Sequence, residues 1–263
     1  KNRYETVRIK GESMKIILIG ACGRMGKAVA ARSAECGVQI VCGVDAVSAE
    51  LPFPLYKTVD EVTEQADGVI DFSSAQCLKP TLAYCKKHNL PVLLAATGYT
   101  QEDLNTIADY AKTVAVFKTG NLSLGVNLLQ MLVKKAAAAL GETFDTEIVE
   151  RHHNRKKDAP SGTALMLAQS VKEGRKQQST FVYGRQGLVG ERNRAEIGIH
   201  AVRGGTNVGE HEVMFAGEDE IITLSHSARS RNVFANGALR AIGWLKDKPA
   251  GLYDMFNLLG GIL

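Results

Sequence analysis

The chain has 263 residues, 45% hydrophobic and 23% charged, with a formal net charge of +4, ordinary globular values with material for one large core or two modest ones. So mild a charge permits an anionic ligand but is far below that of a dedicated nucleic-acid binder. No apolar stretch approaches the roughly 20 residues that span a bilayer, so neither nucleic acid nor membrane is expected as a partner.

Residues 1 to 13 are polar and lack the apolar segment of a signal peptide. They are expected to be a leader, tag or upstream extension outside the fold. The run Lys15-Ile-Ile-Leu-Ile19 predicts a buried strand, residues 25 to 36 an Ala-rich helix, and residues 38 to 44 a second strand that ends on Asp45. Strand, glycine turn, helix, strand and acid make one βαβ unit of a parallel sheet. Gly68-Val-Ile-Asp-Phe72 is the next strand, and Ser74 is expected to cap a helix running through Leu82 to Lys87. Pro91-Val-Leu-Leu-Ala95 follows as a strand. Thr100 with Asp103 forms a capping pair for a helix through Ala111, and Val114-Ala-Val-Phe117 is a fifth strand. Five strands alternating with helices predict a Rossmann-like, doubly wound parallel sheet.

Beyond a helix at residues 123 to 140 the rhythm changes. Thr146-Glu-Ile-Val-Glu150 predicts a strand, residues 161 to 171 a helix, and residues 196 to 202, 212 to 215 and 220 to 225 strands with alternating faces. Glycine-rich turns such as Gly204-Gly-Thr-Asn separate them. This pattern predicts a smaller α+β domain with an open antiparallel or mixed sheet. Residues 232 to 246 form a last long helix. The expected division is 14–122 with 233–263 for a nucleotide domain, and 123–232 for a substrate-binding and oligomerisation domain. Five cysteines at 22, 36, 42, 77 and 85, without a C-x-x-C pair and among apolar neighbours, read as buried free thiols of a reducing cytoplasm.

Gly20-x-x-Gly23-x-x-Gly26 follows a strand and opens a helix. Such glycines permit a tight turn, backbone approach to a pyrophosphate and close helix packing, although this spacing departs from G-x-G-x-x-G by one residue. Gly20, Ala21, Cys22, Gly23, Arg24 and Met25 are therefore candidate dinucleotide contacts. Asp45 lies about 20 residues further on, where an acid accepts the ribose hydroxyls. It is followed by Ala46-Val47-Ser48, with no Arg or Lys at hand for a 2′-phosphate, which favours NADH over NADPH. Arg24 in the turn could still reach an adenosine phosphate.

The stretch from Glu150 to Ala164, Glu-Arg-His-His-Asn-Arg-Lys-Lys-Asp-Ala-Pro-Ser-Gly-Thr-Ala, concentrates chemistry. Imidazoles supply a proton near neutral pH, Lys156 offers a compact ammonium, and the amides of Ser161, Gly162 and Thr163 would leave a helix N-terminus, where anions bind. Together they suit a small acidic substrate that is gripped and protonated. Adjacent His152 and His153 point to opposite faces of an extended chain and cannot easily share an ion, so no metal is expected. Arg155 and Lys157 read as solvated, and His200 and His226 as structural. No chemical role follows for His211.

The run His152-His153-x-x-Lys156-x-Asp158-Ala-Pro-Ser-Gly-Thr-Ala164 resembles the signature of the dihydrodipicolinate reductase family, better named 4-hydroxy-tetrahydrodipicolinate reductase. Gly20-Ala-Cys-Gly-Arg-Met-Gly26, Ile70-Asp-Phe-Ser73, Ala96-Thr-Gly98, Asn121-x-Ser-x-Gly-Val-Asn127, Val208-Gly-Glu-His211, Phe234-Ala-Asn-Gly-Ala238 and Gly251-Leu-Tyr-Asp-Met255 resemble the same family in its order. The resemblance covers residues 14 to 263. It implies reduction of a cyclic imine dicarboxylate in bacterial lysine and diaminopimelate synthesis with NADH or NADPH, and a homotetramer joined through the second domain. It also implies that the last long helix returns to the nucleotide domain. His152 would be the general acid, assisted by Lys156. His153, Lys156, Ser161, Gly162 and Thr163 would hold the substrate carboxylates, and Asp158 would orient the loop. Ala95, Ala96, Thr97, Thr119, Gly120, Asn121 and Leu122 would line the nicotinamide half of the groove. Two other readings stay open: a non-catalytic dinucleotide sensor, and another Rossmann reductase such as an aspartate dehydrogenase.

Overall fold

The computed structural model describes residues 13–175 and 178–260; of the expected leader, residues 1–12 lie outside them. The described residues divide into two compact units, one made of those up to Ser123 and those from Arg231 onward, the other of Leu124–Ser230.

The first unit holds β1 (Met14–Ile19), α1 (Arg24–Ser33), β2 (Val38–Val44), β3 (Leu55–Tyr56), β4 (Gly68–Asp71), α2 (Leu78–His88), β5 (Val92–Leu94), α3 (Gln101–Tyr110) and β6 (Ala115–Lys118). The second holds α4 (Leu124–Leu140), β7 (Asp145–His152), α5 (Gly162–Arg175), β8 (Thr180–Tyr183), β9 (Glu196–Arg203), β10 (Gly209–Ala216) and β11 (Ile221–Ala228). The chain then rejoins the first unit with α6 (Asn232–Leu245), β12 (Gly251–Tyr253) and α7 (Met255–Leu259).

Seven parallel strands lie in the order β12-β6-β5-β4-β1-β2-β3. The chain runs outward from β1 to β3, then crosses to β4 on the other side of β1. Strand order thus reverses between β1 and β4, the place where open α/β sheets receive ligands at their carboxyl ends. β1 is buried at five of its six positions, as a strand covered on both faces must be. Ile17, Ile19, Val44, Val69, Leu82, Val92, Leu94 and Val116 share one buried cluster with α2 and α3. On α6, a Cβ at Gly237 would stand 1.8 Å from the Leu122 carbonyl oxygen. Only glycine admits that approach, which accounts for the glycine in Phe234-Ala-Asn-Gly-Ala238.

Local signals were mostly legible, with some departures. The Thr100 hydroxyl accepts from the Asp103 amide while the Asp103 carboxylate accepts from the Thr100 amide, a reciprocal cap. Ser74, by contrast, makes no capping bond; a 3₁₀ turn at Ala75–Cys77 intervenes and α2 starts only at Leu78. The helix expected over residues 25 to 36 ends at Ser33 and tightens into a 3₁₀ turn, closed by Gly37 at φ 70°. The edge strands β3 and β12 were not expected. Nor are all five thiols buried: Cys42 and Cys85 are, whereas Cys22, Cys36 and Cys77 are half-buried. Burial pushes the Cys42 thiol up to about 12.

In the second unit a mixed sheet runs β11-β10-β7-β9-β8. β10 is antiparallel to β7 and β11, whereas β7, β9 and β8 are parallel. Alternate residues of β7 and β10 are buried, the mark of a sheet covered on one face. Ile148, Ile197, Val213 and Phe215 pack there against Leu129, Val133, Leu167 and Val171 of α4 and α5.

Candidate active site

In the first unit, the expected cofactor residues lie at the carboxyl end of the sheet. Gly20 follows the end of β1, Asp45 that of β2, Ala95 that of β5 and Thr119 that of β6. Gly20 has φ 77°, and a Cβ there would meet the Phe72 carbonyl carbon at 2.8 Å; one at Gly26 would stand 2.3 Å from the Gly20 carbonyl oxygen. The turn is therefore drawn tight enough to bring α1, whose N-terminus carries no side-chain cap, up to a bound anion. Thr119 and Asn121 order the turn after β6: the Thr119 hydroxyl donates to the Asn121 carbonyl at 2.9 Å, and the Asn121 amide oxygen accepts from the Ser123 amide at 2.8 Å. These residues fit a dinucleotide, with the glycine turn for the pyrophosphate and Asp45 for the adenosine ribose.

Asp45 also has partners within the protein. Its carboxylate accepts from the Cys22 amide at 2.9 Å and the Val47 amide at 3.0 Å, tying the glycine turn to the loop after β2. The expectation that no cation stands nearby is corrected. The Lys57 ammonium donates to the Ala46 carbonyl at 3.0 Å and the Ser48 hydroxyl at 2.7 Å. It was missed because β3, which carries the chain back beside β2, has only two residues and follows a Pro-Phe-Pro run.

In the second unit, the fully buried Glu150 and the nearly buried His152 sit two residues apart on β7, hence on one face of the strand. The Glu150 carboxylate lies 2.5 Å from His152 Nδ1 and also accepts from the Ser161 amide at 3.0 Å and twice from the Arg203 guanidinium, at 2.8 and 2.7 Å. Register explains these neighbours, since His152 is opposite Arg203 on β9 and Glu150 opposite His211 on β10. Burial alone would raise the Glu150 carboxyl, but its bonds from Arg203, His152 and Ser161 outweigh burial and hold it below the usual range. An ionised carboxylate cannot donate, so Nδ1 carries the hydrogen and Nε2 is the nitrogen left to exchange a proton. A Cβ at Gly209 would stand 2.9 Å from that Nε2, so glycine there clears its approach. Burial lowers the His152 pKa, and Lys156 and Arg203 add to the lowering; the Glu150 bond and charge oppose it.

The loop after β7 is held by backbone. The His153 amide donates to the Asn207 carbonyl, the Gly204 amide to the His152 carbonyl, and the Lys156 amide to the His153 carbonyl. Lys156 pairs with Asp158 at 2.9 Å, while Arg155 and Lys157 are exposed. His153 Nδ1 is buried with no partner among the described residues. Gly162 is exposed and Thr163 half-buried at the start of α5. Ser161 has partners within the protein that the sequence did not show. Its amide serves Glu150, and its hydroxyl lies 2.9 Å from His211 Nε2 while accepting from the Ala164 amide at 3.1 Å. Burial pushes the His211 pKa down to about 4, so the ring that meets the hydroxyl is neutral near pH 7. Ser161 thus links the start of α5 to Glu150 and His211.

Glu150, Arg203 and His211 were given no role by sequence reasoning. The i, i+2 spacing of Glu150 and His152 within a strand was the available signal for the first. The other two depend on sheet register, which local pattern does not reveal.

Family models described as dihydrodipicolinate reductase, N-terminus, and dihydrodipicolinate reductase, C-terminus, match residues 14–122 and 125–259. A 4-hydroxy-tetrahydrodipicolinate reductase of Caldanaerobacter subterraneus is 47% identical over 247 residues, covering 94% of this chain and 98% of that protein. One from Clostridium novyi is 46% identical over 248 residues, covering 93% and 98%. Among solved structures, a dipicolinate-bound dihydrodipicolinate reductase from a Paenisporosarcina species shares the fold with TM-score 0.76 at 24% identity, covering 95% of this chain and 99% of that one.

Proposed function

The chain belongs to the dihydrodipicolinate reductase family, and from that premise we propose that it reduces 4-hydroxy-tetrahydrodipicolinate to tetrahydrodipicolinate with NADH or NADPH, a step of lysine and diaminopimelate biosynthesis. The observation that carries this is the anchored imidazole: a histidine with one nitrogen fixed by a buried carboxylate and the other cleared by a glycine, at the strand end from which the loop with Lys156 departs. A dinucleotide sensor needs no such group.

The bound nicotinamide supplies a hydride, and the balance is one hydride and one proton in, one water out. Gly20 to Met25 hold the pyrophosphate and Asp45 the ribose. Ala95, Ala96, Thr97, Thr119, Gly120, Asn121 and Leu122 enclose the nicotinamide half. Hydride addition to a conjugated C=N leaves an electron-rich centre, which protonated His152 neutralises through Nε2. Glu150 keeps the ring in the orientation and tautomer that this transfer needs. Lys156 exchanges Asp158 for a substrate carboxylate, at little cost because the ammonium is paired either way. Gly162 and Thr163 offer their amides to a carboxylate at the start of α5, and His153 adds its imidazole as a further carboxylate contact. The Ser161 hydroxyl, bonded to His211 and to the Ala164 amide, stands at the same helix start. A small dicarboxylate is the expected partner, in keeping with the dipicolinate carried by the structural relative.

Assembly as a homotetramer through the second unit belongs to the same reading, supported by exposed Tyr183, Leu188, Val189, Val202 and Ile221 and tested by light scattering. So does a cytoplasmic location; among the described residues no helix is long and apolar enough to cross a membrane. The deciding assay adds freshly generated substrate to protein and NADH or NADPH and follows the loss of nicotinamide absorbance. Binding of both ligands without turnover would favour the sensor.

A further inference from the structure

Asp45 poses a problem for a chain expected to take either dinucleotide, since its carboxylate repels a phosphate esterified to the adjoining ribose hydroxyl. The structure supplies a counterweight from an unexpected element. β3 pairs in parallel with β2 through Gly43–Leu55 and Val44–Tyr56. The Asp45 amide donates to the Tyr56 carbonyl at 3.0 Å. This register sets Lys57, the next residue, beside the loop that follows Asp45, and the Glu61 carboxylate anchors its backbone by accepting from the Lys57 amide at 3.0 Å. The ammonium then reaches the Ala46 carbonyl and the Ser48 hydroxyl. Both contacts are neutral, so its full charge remains available to an anion. Lys57 is exposed, which suits a cation that must meet a ligand from solvent.

Resting on the dinucleotide reading above, we infer that Lys57 and Ser48 form a phosphate subsite on the ribose side of Asp45, and that this subsite admits 2′-phosphorylated dinucleotide. Asp45 accepts the hydroxyls of an unphosphorylated ribose. With a 2′-phosphate present, the Lys57 ammonium releases the Ala46 carbonyl for a phosphate oxygen and the Ser48 hydroxyl donates to another. Lysine acts here as a point charge for phosphate. The resulting tolerance of NADPH is electrostatic and falls as salt rises.

Calorimetric binding of adenosine 2′,5′-bisphosphate and adenosine 5′-monophosphate isolates the 2′-phosphate, with NADPH and NADH as the full ligands. Lys57→Gln should weaken the bisphosphate and NADPH by about tenfold, the scale of one charge-assisted hydrogen bond, and leave the monophosphate and NADH within twofold. Lys57→Arg should restore the bisphosphate, and Ser48→Ala should weaken it by less than Lys57→Gln does. Equal weakening of both ligands of a pair, or an unchanged bisphosphate, would overturn the subsite while leaving the reductase reading intact. A wild-type protein that binds neither dinucleotide would overturn both.

Discussion

Glu150 and His152 lie on one face of β7 with carboxylate and imidazole Nδ1 2.5 Å apart, and neither is free to turn. Arg203 and the Ser161 amide hold the carboxylate from two other directions. Glu150 therefore sets both the orientation and the protonation of the ring. Its charge and hydrogen bond are what raise the His152 pKa against burial. A proton donor works only while protonated, so kcat/KM should fall as pH rises through that pKa. Replacing Glu150 by Gln removes the raising influence and should move the fall to lower pH, with activity at neutral pH reduced more than activity in mild acid. Glu150→Asp, which keeps the charge, should restore part of the profile. An unshifted profile in a folded Glu150→Gln protein would remove Glu150 from the mechanism.

His152→Ala should lower kcat by roughly a hundredfold or more, the scale of losing a positioned general acid. NADH affinity should stay within twofold of wild type, because Asp45 and the glycine turn belong to the other compact unit. Stopped-flow turnover with fluorescence titration of NADH separates the two quantities. Loss of affinity with normal turnover would assign the loop to cofactor binding instead.

The first sheet was legible because a parallel sheet covered on both faces demands largely apolar strands, and residues 15–19, 38–44 and 68–72 supply them. The glycine turn and Asp45 could be positioned from the sequence because each directly follows such a strand. What escaped depends on partners distant in sequence. β3 is too short to carry periodicity, and with it went Lys57. Arg203 and His211 reach Glu150 and His152 only through the register of β9 and β10. Ser161 looked like an anion donor because a serine at a helix start usually offers its amide outward. Here the buried Glu150 claims that amide first.

Buried His211 makes stability pH-dependent. Its pKa is about 4 in the fold against an ordinary 6.5. Between those values the unfolded chain binds a proton that the folded state refuses, so stability is present above about 6.5 and lost as pH falls toward 4. His152 and His226, also lowered by burial, act in the same direction. Glu150, held below its usual range, loses its contribution only under more acid conditions. Urea melts at pH 7 and pH 5 should show a marked loss for wild type and a smaller one for His211→Gln. Equal losses would place the effect elsewhere.

Asp45 accepts from the Cys22 and Val47 amides, and under the proposed reading it would also accept the ribose hydroxyls. Asp45→Ala should therefore weaken NADH by about tenfold, comparable to one charged hydrogen-bond acceptor. It should weaken NADPH less, because the variant also removes repulsion of the 2′-phosphate. Parallel KM measurements with the two cofactors test this. A uniform loss would mean that Asp45 acts only as a brace for the glycine turn.

Lys156 should divide binding from chemistry in a different way. Its side chain is four-fifths covered and its ammonium pairs with Asp158 at 2.9 Å, so it is already held within the loop that follows His152. A substrate carboxylate arriving there replaces one acid by another, and the lysine stays charged throughout. Lys156→Ala should raise KM and lower kcat together, giving a large fall in kcat/KM. Pyridine-2,6-dicarboxylate, which carries the same two carboxylates but accepts no hydride, should compete with substrate in wild type and bind at least tenfold more weakly to the variant, the scale of one charged hydrogen bond. Asp158→Asn gives the opposite control. Freed from its internal partner, Lys156 should hold the analogue as well as or better than wild type does. If Lys156→Ala binds the analogue normally, the carboxylates are held elsewhere, and the α5 amides at Gly162 and Thr163 become the first place to look.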